Sequence, residues 1–107
     1  MSRLLLIISS LFVSFGVNAA QQTSSQKCAK YEIMAHYIML VRQDGLPMSK
    51  ALQEFKVDDK DNPYGEIERK IIIDAYSQPK YETKEYKDKE ITEFANKYML
   101  GCMAMYE

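Results

Sequence analysis

The chain has 107 residues, with 14 Lys and Arg set against 15 Asp and Glu, two cysteines, one histidine and no tryptophan. That near-neutral balance lacks the basic excess with which proteins hold nucleic acid or anionic membrane, so neither is expected as a partner. A chain this short makes one domain, near the size at which an apolar core alone is marginal and a covalent staple becomes useful.

Residues 1–19 carry Arg3, an apolar run from Leu4 to Val17, and Asn18 and Ala19 after it. This is the layout of a secretory signal peptide, with cleavage expected after Ala19 and a periplasmic or secreted destination. Ser9, Ser10, Ser14 and Gly16 interrupt the run, which falls short of the ~20 apolar residues of a spanning helix. Cys28 follows Ser-Gln-Lys, unlike the small apolar residues that precede a lipoprotein cysteine. Losing residues 1–19 removes Arg3 as the sole charged residue, which leaves 88 residues with a formal charge of −2.

Cys28 and Cys102 are the two cysteines of the exported chain. In an oxidising compartment a single disulfide is the economical expectation. It closes a loop of about 75 residues and, on the chain-entropy model, stabilises by ~4 kcal/mol. A redox or metal pair has no Cys-x-x-Cys to support it, and His36 is the lone histidine.

Residues 20–27 are polar and unpatterned and read as a flexible leader to a single helical domain over 28–107. Helix 1 is expected from Cys28. Cys28, Tyr31, Met34, Ala35, Ile38, Met39 and Val41 share one broad face, and Ile33, Tyr37 and Leu40 make a second stripe roughly opposite. Asp44-Gly45 ends the helix and Pro47 prevents its continuation. A second helix is expected from an N-cap at Ser49 to Phe55 or Lys56. A third should run from Asn62-Pro63 to about Ser77, with Tyr64, Ile67, Ile71, Ile72 and Ala75 inward. Thr83 caps a fourth, in which Ile91, Phe94, Ala95, Tyr98, Cys102, Met105 and Tyr106 recur at spacings of three and four. The expected fold is therefore all-α, a bundle of about four helices closed by one disulfide between the first and the last.

Few side chains invite chemistry. His36 has no second titratable group placed beside it, and there is no nucleophile arrangement and no Gly-rich phosphate loop. No enzyme, cofactor or metal is expected. The methionines of the exported chain, Met34, Met39, Met48, Met99, Met103 and Met105, fit helix packing better than a copper site. Arg42 projects towards the broad apolar face, with Asp74 as its candidate structural partner. Ile33, Tyr37 and Leu40, together with Tyr76, Tyr81 and Tyr86 around Pro79, are the candidate partner-binding residues, for another protein or a second copy.

An early Cys28 opening a helix after a signal peptide, Ile38-Met39, Arg42-Gln43-x-Gly45, Ala75-Tyr76-x-x-Pro79 and a late Cys102 resemble small secreted proteins of unassigned function from Gram-negative bacteria and their phages. The resemblance spans nearly the whole exported chain. In size, helicity and single disulfide the chain is also similar, in architecture alone, to periplasmic acid-stress chaperones of the HdeA type. Two functions follow as expectations: an exported binding module of inhibitor or immunity type, or an acid-activated holdase whose carboxylates protonate at low pH.

Overall fold

A computed structural model describes residues 22–106; the expected signal peptide and the first part of the expected leader lie outside the described residues. Four helices follow in order, α1 (Ser24–Gln43), α2 (Met48–Glu54), α3 (Gly65–Tyr76) and α4 (Lys84–Ala104), with no strand among the described residues.

Helix α1 begins one turn earlier than expected. Thr23 accepts from the Gln26 amide at 3.2 Å while the Gln26 side chain accepts from the Thr23 amide at 2.9 Å. This reciprocal capping box satisfies two otherwise orphaned N–H groups, so Ser24 to Lys27 form the first turn of α1 and not leader. At the other end Gly45, at φ 93, lets its own amide reach the Arg42 carbonyl and the Leu46 amide reach the Val41 carbonyl. The helix stops there as the sequence leads one to expect.

The same closing motif ends α2, with Lys56 at φ 52 in the place glycine normally takes. Ser49 is not the cap of α2; the helix starts at Met48 after Pro47, whose fixed φ suits a helix start. Asn62 is not the cap of α3 either. Its carboxamide donates to the carbonyls of Phe55 and Lys56 and to Glu68, and accepts from the Tyr64 amide, tying the charged loop to both flanking helices. Thr83 caps α4 as expected.

Helix α1 lies in the middle, packed most extensively on α4 and then on α3, while α2 bridges α3 and α1. The core joins Ala35, Ile38 and Met39 of α1 to Ala51, to Ile71, Ile72 and Ala75 of α3, and to Ile91 and Phe94 of α4. The triple isoleucine run is thus helical, with Ile73 facing solvent. Tyr64, placed inward by its spacing, is exposed because it precedes the helix. Cys28 and Cys102 form the expected disulfide, their Cα atoms 5.5 Å apart. Since Cys28 is near the start of α1 and Cys102 near the end of α4, the two helices run antiparallel.

Gly65 opens α3 against the preceding loop, and a Cβ there would stand 2.4 Å from the Val57 carbonyl oxygen. Backbone cannot yield as a flexible side chain does. Gly65→Ala is therefore expected to cost about 1–3 kcal/mol, read as a lower urea midpoint with an unchanged slope.

Candidate functional site

The segment between α3 and α4 is fixed by the last turn of α1. Gln43, fully buried, donates through Nε2 to the Pro79 carbonyl and accepts through Oε1 from the Tyr81 amide, each at 2.8 Å. Its own carbonyl, an orphan acceptor at a helix end, accepts from Lys87 Nζ. Arg42 donates to the Gln78 carbonyl at 3.0 Å and lies 5.1 Å above the Tyr76 ring. The expected Arg42–Asp74 pair is not made. Asp74 is engaged by Lys97 and Tyr98 and Arg42 reaches the connector backbone instead, its Nε buried without a partner among the described residues.

The three tyrosines around Pro79 divide accordingly. Tyr76 is half-buried, its hydroxyl donating to the Leu46 carbonyl and its ring covered by Arg42, so it holds the frame and is not a free contact residue. Tyr81 and Tyr86 stack at 5.8 Å between centroids, with Tyr86 exposed.

Asp74 instead ties α3 to α4. It accepts from Tyr98 Oη at 2.6 Å, from Lys97 Nζ at 2.7 Å and from Gln78 Nε2 at 3.0 Å. Partial burial pushes its carboxyl upward, but the hydrogen bonds from Lys97, Tyr98 and Gln78 outweigh that and hold it below its ordinary value of 3.8. Burial and the Asp74 carboxylate push the Tyr98 phenol far above its ordinary value.

Beyond Tyr98, α4 departs from expectation. Met105 and Tyr106, read as inward from their spacing, are exposed, as is Leu100. Met105 and Tyr106 line a groove of about 680 Å³ at the disulfide end of the bundle. Tyr31 of α1, Ile67 of α3 and Tyr98, Gly101 and Cys102 of α4 form its walls. Lys97, Met105 and Tyr106 complete its lining, which is largely apolar. Periodicity alone does not locate this groove, because its lining is drawn from three separate helices. Gly101, a glycine in the last turn of a helix, was the available signal.

On the far side of α1, Ile33 and Tyr37 are both more than half exposed, with the His36 ring edge-on to Tyr37 at 5.5 Å. Leu40 is not part of that free surface: it is half-buried and packed against the core. Of the methionines, Met39 is fully buried, Met34 and Met48 pack against the core, and Met105 is exposed. The chain matches no protein-family model, no curated protein and no solved structure.

Replacing Gln43 by Leu keeps the volume but strands the Pro79 carbonyl and the Tyr81 amide. A loss of about 2–4 kcal/mol is expected, with faster hydrogen exchange at Tyr81 than in the rest of the chain. For Asp74 the folded carboxyl titrates below the unfolded one. It contributes stability above 3.8 that is lost as pH falls through the lower folded value. Asp74→Asn is therefore expected to melt lower than the parent at neutral pH and to flatten the fall in melting temperature below about pH 4.

Proposed function

We propose that this chain is an exported helical module that binds another protein in the periplasm or outside the cell, in the manner of an inhibitor or immunity protein. Export is supported by the Cys28–Cys102 bridge, since such bonds persist in oxidising compartments. No described helix is long and apolar enough to cross a membrane. The apolar groove beside that bridge carries the binding proposal. It presents Tyr31, Tyr98, Tyr106 and Met105, residue types that dominate protein interfaces, on helices already clipped together. Gly101 supports the same surface: a Cβ there would meet nothing within 4 Å among the described residues. A glycine at this point forgoes helix propensity of up to ~1 kcal/mol and leaves bare backbone in the groove wall, against which a partner can close.

A second use of the fold, as an acid-activated holdase, is favoured by Asp74, whose protonation releases a tie between α3 and α4. Suppression of client aggregation at about pH 2–3 that appears at higher pH in Asp74→Asn would support it over the first.

The groove is tested by immobilising the oxidised chain and passing an extract of exported proteins over it. The parent and Gly101→Ala are expected to retain one common protein, and Gly101→Trp, whose indole fills the groove, to lose it while melting no lower than the parent. Retention by Gly101→Trp together with loss by Tyr86→Asp would move the docking surface to the Tyr81–Tyr86 pair.

A further inference from the structure

The outer face of α1 is organised for something other than the groove. Gln26, Lys30, Ile33, Tyr37 and Asp44 are exposed there and, with half-buried Leu40, recur at spacings of four and three along one stripe. Its charges oppose the dipole of their own helix. The first turn has no acidic residue, Lys27 and Lys30 lie towards the positive end, and Asp44 caps the negative end. Among the described residues none of the three forms an ion pair. Arg42, which would suit the negative end, is turned inward to the Gln78 carbonyl.

We propose that this face seats a second copy of the chain, with the two α1 helices antiparallel about a two-fold axis beside residue 35. The axis follows from the stripe. Setting Ile33 against the partner's Tyr37 places residue 26 opposite residue 44 and residue 30 opposite residue 40. Lys27 and Lys30 then come within side-chain reach of the partner's Asp44 and of the negative end of its helix, and symmetry repeats the contact. The Lys30 stem covers the exposed part of Leu40. Tyr37 enters the depression of about 260 Å³ that Glu32, Ile33, His36 and Tyr37 itself enclose on the other copy. A parallel pairing instead sets Lys30 beside Lys30 and Asp44 beside Asp44, which like-charge repulsion disfavours. Tyr31, the α1 residue of the groove, lies on the opposite side of the helix, so the dimer leaves both grooves open and stands or falls apart from the binding function.

Sedimentation equilibrium of the oxidised chain, as exported and at low salt, tests the pairing. The parent is expected to be a dimer at about 100 µM. Tyr37→Glu, Lys30→Asp and Asp44→Lys should each raise the dimer dissociation constant about tenfold or more. Lys30→Asp combined with Asp44→Lys should restore it to within about threefold of the parent. Both charge changes suit the dipole of their own helix, so neither should lower the melting temperature of the monomer, which separates lost pairing from lost folding. A monomeric parent, a dimer indifferent to Tyr37→Glu, or a double variant no better than its singles would each overturn the proposal.

Discussion

The bundle depends on one uncharged side chain. Between α3 and α4 the backbone forms no regular ladder, so its polar groups need partners from elsewhere. Pro79 has a carbonyl and no N–H, and Tyr81 presents an N–H two residues on. A carboxamide can donate to the first and accept from the second, whereas Arg42 beside it can only donate. Gln43 does both from a fully buried position, and the carbonyl at its own helix end is met by Lys87 from the first turns of α4. The point at which the chain turns back onto α1 is therefore fixed in direction as well as in distance.

The other end of the α1–α4 pair is held by a covalent bond, and the difference has a physical origin. Apolar burial in α4 is concentrated at Ile91, Phe94 and Ala95. Beyond Tyr98 no residue of α4 is fully buried, with Met99, Cys102 and Met103 half-buried and Leu100 exposed, so side-chain burial holds its last turns against α1 less firmly than its middle. The bridge from Cys102 to Cys28 adds a covalent hold there. Cys102 also lines the groove, so the loosely packed end of the bundle carries a concave surface whose two longest helices are joined covalently.

Much of this was legible in the sequence wherever a residue acts on its own backbone neighbours. Gly45 and Thr83 mark helix ends through local geometry, and with only two cysteines in the chain a disulfide has a single pairing to form. Legibility failed where a side chain acts at a distance or where two local signals compete. Thr23 to Gln26 is a capping box, yet its four polar residues look like any flexible leader. Asn62 has the form of a helix cap, but the carbonyls left over at the end of α2 claim its amide first. Arg42 invited a carboxylate partner, and Asp74 had already been taken by Tyr98 and Lys97, a pairing that crosses from α3 to α4 and leaves no periodic trace.

Helix α1 poses the sharper problem, because apolar residues surround it and hydrophobic pattern alone does not say which side turns inward. Its ends resolve the matter. Cys28 and Gln43 are 15 residues apart and so lie within about 60° of each other around the helix axis. Each has a partner that nothing on the opposite side can replace: a single sulfur atom for one, a carbonyl and an amide in fixed geometry for the other. Rotating α1 to bury Ile33 and Tyr37 would swing both specific groups away from their partners while exchanging one set of apolar contacts for another. Burial supplies the affinity between the helices and the two end residues supply the orientation, which is how Ile33 and Tyr37 come to remain on the surface.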